Sequence, residues 1–148
     1  MGHCIFRASG IAATILLGAA CASTARVEQV GLAGTSFNAG EIGQATLVPR
    51  DQVTDVVVKV SGVPNTVTRP VHLYAFIHPG SCASLGGQPA YPLTQRVLAR
   101  QEADGFLTVR STAPLDWSRL DAGAHALVVR SAPADAGQVL FCGNLRAG

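Results

Sequence analysis

The stretch Val53-Thr54-Asp55-Val56-Val57-Val58-Lys59-Val60 indicates the fold class, because its β-branched residues alternate between two sides. Val56, Val58 and Val60 share one apolar side, whereas the other side carries Asp55. An amphipathic helix would instead repeat its apolar residues every three or four positions. The pattern therefore predicts a β-strand with one side in a hydrophobic core.

Further stretches of the chain have the same character, and Gly, Pro, Asp or Ser residues separate them. They are Val27 to Leu32, Ala45 to Val48, Pro70 to His78, Leu93 to Ala99, Gly105 to Arg110, Ala124 to Ser131 and Gln138 to Cys142. The strand from Pro70 is expected to end at Pro79-Gly80 and to pair antiparallel with the Val53 strand. The one helical signal is a turn from Asp116 to Leu120, where Asp116 could cap the backbone amides. Short strands at this spacing predict an all-β fold, a Greek-key antiparallel β-sandwich.

Length and charge limit the function classes. A chain of 148 residues with 48% hydrophobic content is enough for one domain with a core. Eleven basic and nine acidic residues occur without a run of either sign. This distribution argues against a surface for nucleic acid or for an anionic membrane.

The first residues are typical of an export signal. Arg7 precedes the apolar run Ile11 to Ala20, and small residues follow. We expect residues 1 to 22 to be a signal peptide and the mature protein to be periplasmic or secreted. As an alternative, Leu17 to Cys21 resembles a bacterial lipobox, so a lipid on Cys21 would anchor the protein in the cell envelope. Membrane contact is expected only through the leader or a lipidated Cys21.

The folded part contains two cysteines, Cys82 and Cys142, because Cys4 and Cys21 lie in or beside the leader. Exported proteins with two cysteines usually oxidise them, so we expect one disulfide between these two. Two buried free thiols are the alternative.

Three histidines lie in the folded part, and the strand pattern does not bring them together. His72 and His78 share one side of their strand with Tyr74 and Phe76. Their backbones are about 20 Å apart at the usual rise per residue, too far for both rings to bind one ion. The side chain of His125 falls on the same side of its strand as apolar side chains, which favours a packing or hydrogen-bonding role.

Several stretches resemble Cu,Zn superoxide dismutases. Val71 to Cys82 resembles the region that carries a histidine pair and the first disulfide cysteine in that family. Ala124 to Arg130 resembles the strand with a late copper histidine, and Phe141 to Leu145 the terminal strand with the second cysteine. The resemblance covers about Ala45 to Leu145, and CHRD-type domains are similar in the same places.

The resemblance implies an immunoglobulin-like sandwich of the superoxide dismutase type, yet the family's metal ligands are largely missing. Phe76 stands where the first histidine of the pair is expected, His78 keeps the second, and Arg130 replaces the late histidine. No histidine occurs in residues 86 to 92, where the ligand that bridges copper and zinc is expected. One neutral imidazole does not hold copper tightly against competing ligands. We therefore expect no catalytic residue, no metal and no cofactor.

The sequence predicts a non-enzymatic, exported cell-envelope domain whose ligand or partner it does not identify. Residues 23–44 would form an N-terminal segment with a first strand, and residues 45–148 the sandwich. One alternative is a copper-binding or weak dismutase-like protein that uses His78 with His72, His125 or a ligand from a partner.

The other alternative is a protein–protein interaction module of the envelope. Its face would be formed by Tyr74, Phe76, His78 and Arg130, because aromatic residues beside an arginine are typical interface anchors. The same residues could instead lie under a loop.

Overall fold

The described part of the chain consists mainly of β-strands. The computed structural model describes residues 27–91, 93–116, 119–120 and 123–145. Its strands are β1 (Glu28–Gly34), β2 (Ile42–Arg50), β3 (Val53–Val60), β4 (Leu73–Ser81), β5 (Ser84–Leu85), β6 (Thr94–Gln101), β7 (Leu107–Ala113), β8 (His125–Ser131) and β9 (Val139–Leu145). Short 3₁₀ turns, Ser36–Asn38 and Pro133–Asp135, precede β2 and β9. The signal peptide, its cleavage site and Cys21 fall outside the described residues.

Every stretch predicted to be a strand forms one, although most ends are displaced. The prediction for β3 has the observed ends, whereas the two-residue strand β5 was not predicted. In the predicted helical turn, Asp116 Oδ1 accepts a hydrogen bond from the Arg119 backbone N–H at 3.1 Å. Trp117 and Ser118 of this turn lie outside the described residues. Among the residues that the structure describes, no helix has the length and apolar character needed to cross a membrane.

The strands form one antiparallel sheet in the order β5-β4-β8-β9-β1-β2-β3-β7-β6. The predicted pairing of β3 with β4 is wrong, because β3 pairs with β2 and β7 while β4 pairs with β8. The connection between β3 and β4 buries Val67 and Val71, which are 5% and 4% exposed. It therefore contributes to the core and does not turn back as a hairpin.

The predicted end of β4 at Pro79-Gly80 is also wrong, since the strand continues to Ser81. Pro79 has no N–H, but its carbonyl accepts a hydrogen bond from the Gly86 N–H at 2.8 Å. Gly80 has a φ of 94° and donates its N–H to the Ala124 carbonyl at 2.8 Å. Glycine adopts this φ without strain, so the strand passes through both residues.

The sheet curls on itself, so that β6 at one end lies beside the segment before β4, near the other end. Arg96 pairs with Arg110 of β7, and Arg100 pairs with Thr108. Residues 97–99 therefore form a bulge opposite a single residue of β7. Within this bulge, Leu98 forms a bridge with His72, and the Ala99 N–H donates to the Val71 carbonyl at 2.9 Å. β6 thus bonds to β7 on one side and to the segment before β4 on the other.

One side of the curled sheet encloses the hydrophobic core. Val56, Val58 and Val60 are each 0% exposed, which confirms the side predicted from their alternation. Other core residues come from the facing strands and include Leu73, Ala75, Ile77, Leu127, Val129 and Phe141. Burial of one large aliphatic side chain contributes about 1.5–3 kcal/mol, so these rows supply the main stabilisation.

Cys82 and Cys142 form the predicted disulfide, with an S–S distance of 2.09 Å. The bridge joins the residue after β4 to the middle of β9. Its cysteines are 60 positions apart in the sequence. Closing a loop of this length stabilises the fold by about 4 kcal/mol in the chain-entropy model.

Gly143 allows β9 to pack closely against β1. A Cβ atom at this position would lie 2.5 Å from the Gly31 carbonyl oxygen and 2.6 Å from Leu32 Cδ2. The nearest contact is a backbone atom, so a side chain here would force the two strands apart.

Gly143→Ala should therefore lower the free energy of unfolding by about 1–3 kcal/mol. Gly31→Ala is the matched control, because a Cβ atom there meets nothing within 4 Å. Its stability should stay within about 0.5 kcal/mol of the native protein. Urea denaturation of both variants measures this difference, and equal stabilities would contradict the close packing of β9 on β1.

Candidate functional site

The candidate site lies on the outer side of β4 and β8. The register places Tyr74 opposite Arg130, Phe76 opposite Val128 and His78 opposite Ala126. The four residues of the predicted interaction face are thus neighbours on one side of two paired strands. Tyr74, Phe76 and Arg130 are half-buried, whereas His78 is only 2% exposed.

Arg130 packs against Phe76. Its guanidinium carbon lies 5.9 Å from the centre of the Phe76 ring. A guanidinium over an aromatic ring contributes about 0.5–1 kcal/mol at a partly exposed site. Arg130 Nε is buried and has no hydrogen-bond partner among the described residues. The Phe76 ring is therefore a described contact of this cation, although Nε itself has no described acceptor.

His78 is held by a hydrogen bond to the backbone. Its Nδ1 lies 2.9 Å from the Gly86 carbonyl oxygen. A carbonyl oxygen only accepts, so Nδ1 carries the proton and donates. In the neutral ring, Nε2 then carries the lone pair, and it is buried with no partner among the described residues. The Phe76 ring meets this imidazole edge to face, with ring centres 6.3 Å apart.

The loop from Cys82 to Gly86, which includes the short strand β5 and which we call the covering loop, contacts the buried His78 through the Gly86 carbonyl. The disulfide fixes one end of this loop to β9, and the Asn144 side-chain oxygen accepts a hydrogen bond from the Cys82 N–H at 2.7 Å. At the other end, Gly86 bonds to both Pro79 and His78. Part of the predicted face therefore lies under a loop, which was the structural alternative for these residues.

Sequence reasoning missed Asn144 and Gly86, which hold the covering loop. A Cβ atom at Gly86 would lie 2.5 Å from Pro79 Cγ, so a side chain here conflicts with the loop geometry. The glycine pair at 86 and 87 was the local signal, but only the fold shows that it lies against Pro79. Asn144 lies in β9, and its bond to Cys82 spans 62 positions in the sequence.

The other two histidines have different neighbours from His78. His125 lies opposite Pro79, so its side chain is on the other side of the sheet from that of His78. His72 is half-buried at the opposite end of the strand, where it forms the bridge to Leu98. The Nδ1 atom of His125 is 3.2 Å from the Leu120 carbonyl oxygen and 3.1 Å from that of Gly123. The centre of its ring lies 5.8 Å from that of Tyr91, which forms a bridge with Ile77.

The described residues do not fit the metal centre implied by the resemblance. A copper site of that family needs four converging histidines, and the resemblance would place Phe76 and Arg130 at two of those positions. No group of three or more His, Cys, Asp or Glu side chains within the described ranges could hold a metal ion. His78 Nε2 is a buried imidazole nitrogen without a partner among the described residues.

His78→Leu should reduce the free energy of unfolding by about 1–3 kcal/mol, because it leaves the Gly86 carbonyl without its donor. His72→Leu is the control on the same side of the strand, and its effect should be smaller because that residue does not hold the covering loop. Denaturation gives the stability, and limited proteolysis between Cys82 and Tyr91 reports loop opening. Equal proteolysis rates in both variants would show that His78 does not hold the loop.

Searches with protein-family models, against curated proteins and against solved structures gave no match to this chain. Its function is therefore inferred from its own residues and their geometry.

Proposed function

We propose that this protein is a non-enzymatic domain exported to the cell envelope, where it binds another protein. Its fold would be a Greek-key β-sandwich of the superoxide dismutase type. The contact surface would be the half-buried group of Tyr74, Phe76 and Arg130, which we term the aromatic–arginine surface.

The strand order supports the proposed sandwich. Because β6 also bonds to the segment before β4, the strand order can be followed around a closed circle. Along this circle, the connection from β3 to β4 passes over β7 and β6. The connection from β7 to β8 passes over β6 and β4 in the same way. Connections that pass over a pair of strands are typical of Greek-key folds.

The disulfide and the leader pattern support export. A disulfide such as Cys82–Cys142 persists in oxidising compartments, and the cytosol keeps most thiols reduced. The periplasm or the exterior fits both features. In the alternative, a lipid attached to Cys21 would anchor the exported protein in the cell envelope.

The packing of Arg130 on Phe76 is the observation that supports partner binding most directly. Arginine and aromatic residues are enriched at the energetically important positions of protein interfaces. Tyr74 lies opposite Arg130, so its ring adds apolar area and a hydroxyl group. The arginine is already ordered by the ring, which lowers the entropic cost of binding.

Envelope cross-linking with a matched pair of variants tests this proposal. A protein captured by the native chain should be lost with Tyr74→Ala/Arg130→Ala and retained with Thr46→Ala, a half-buried control on β2. All three chains must show cooperative unfolding. Capture that is unchanged in the double variant would contradict binding through the aromatic–arginine surface.

The intact mass of the recovered protein also reports whether residues 1 to 22 have been removed.

The unpartnered Nε2 atom of His78 favours copper binding as the second candidate function. Copper would need further ligands from a partner or from His72 or His125. The positive charge of Arg130 on the same face would oppose a cation at neutral pH. Copper binding is therefore less well supported than partner binding as the function of this protein.

The native protein should bind no copper tightly, whereas Phe76→His combined with Arg130→His should bind it. Phe76 and His78 are one strand repeat apart on the same side, about 7 Å along the chain, so two imidazoles there can converge on one ion. Titration calorimetry on both folded proteins measures this difference. Tight native binding would favour the copper candidate, and no binding by the folded double variant would contradict the alignment of these positions with copper ligands.

A further inference from the structure

A second surface, on the outer side of β7 and β6, carries an unusual arrangement of arginines. Arg96 and Arg110 stand directly opposite each other across the two strands, and Arg100 lies beyond the bulge. All three are exposed, and Leu98 between Arg96 and Arg100 is 56% exposed. We call these four residues the arginine surface.

The acidic residues beside this surface are already paired. Asp55 accepts a hydrogen bond from Arg50 Nε at 2.5 Å and another from the Thr112 hydroxyl at 3.1 Å. Asp104 forms an ion pair with Lys59 at 2.6 Å. That contact lowers the pKa of Asp104, so this carboxylate stays charged and engaged.

Glu102 is the remaining described carboxylate next to the arginine surface, and it borders the same depression as Arg96, Arg100 and Arg110. No ion pair joins any of these three arginines to a carboxylate within the described residues. One carboxylate cannot balance three guanidinium groups, so the surface keeps excess positive charge.

The Arg96–Arg110 pair is unfavourable by itself. Side chains directly opposite each other in an antiparallel pair have Cβ atoms about 4.5–5.5 Å apart, and like charges there are destabilising. Arginine cannot relieve this repulsion by losing its proton. An anion between the two guanidinium groups would relieve it, because each planar group can donate two parallel hydrogen bonds to a carboxylate or phosphate.

The surface also has room for a ligand on both sides of the arginine pair. One open depression of about 390 Å³ is bordered by Arg50, Arg96 and Arg110, and by Asp55, whose carboxylate is paired with Arg50. A second, of about 310 Å³, is bordered by Arg96, Leu98, Arg100 and Arg110. The exposed Leu98 side chain gives the second depression an apolar contact.

We propose that Arg96 and Arg110 form a binding site for an oxyanion, a carboxylate or phosphate group. Arg100 and Leu98 contact the group that carries it. This site is on a different face from the aromatic–arginine surface, so it does not depend on the proposed function.

Thermal unfolding of the mature protein in sodium phosphate and in sodium chloride, at equal ionic strength, tests the site. Phosphate at ten times its Kd should raise the native midpoint by about 4 °C through binding. Arg96→Gln and Arg110→Gln should each unfold at or above the native midpoint in chloride, because the repulsion is gone. Both should lose the specific gain in phosphate.

Arg119→Gln, an exposed arginine before β8, is the matched control and should respond to phosphate as the native protein does. Phosphate also stabilises proteins generally by exclusion from their surface. The difference between the native protein and the two variants is therefore the decisive quantity. An equal gain in all four proteins would overturn the proposal.

A hexaglutamate peptide and its glutamine counterpart distinguish the two sources of the oxyanion. A gain with hexaglutamate at far lower concentration than phosphate, lost in Arg96→Gln, would identify carboxylates of another protein as the ligand. A gain with phosphate alone would identify a free phosphate-type anion. No specific gain with either probe would overturn the site.

Discussion

At its bulge, β6 bonds to the segment before β4 while it stays paired with β7, and the sheet closes on itself through this second pairing. Without this pairing the sheet would stay open, and the apolar sides of β3 and β4 would lie far apart, toward opposite ends of the sheet. Closure lets the valines of β3 pack with the apolar row of β4 in one core. It also pairs part of the edge of β6, which would otherwise be free to pair with other chains.

The sequence was informative wherever the cause is local. The alternation in β3 reports burial of Val56 and Val58 directly, and the two cysteines of the folded part had one possible partner each. The pairing of strands was not predictable in this way. β3 and β4 are neighbours in sequence, but the connection between them buries Val67 and contributes to the core. No local pattern in a strand indicates which distant strand will pair with it.

The burial of His78 shows the same limit at the candidate site. Strand parity correctly assigns its side chain to the outer face, beside Phe76. Parity cannot reveal that residues from Cys82 to Gly86 return over this face, because that depends on bonds to Asn144 and on the disulfide. The result is a histidine that belongs to the outer side of the sheet and yet has little contact with solvent.

The pairing of β1 with β9 has a consequence for how the chain reaches its fold. Thr35, just after β1, bonds through its hydroxyl to the carbonyl of Val139, 104 positions later. β1 gains its second neighbour only when β9 has been synthesised, and contacts of such long range slow folding. A growing chain that lacks β9 has no complete core, so folding of this domain must largely follow the synthesis of β9.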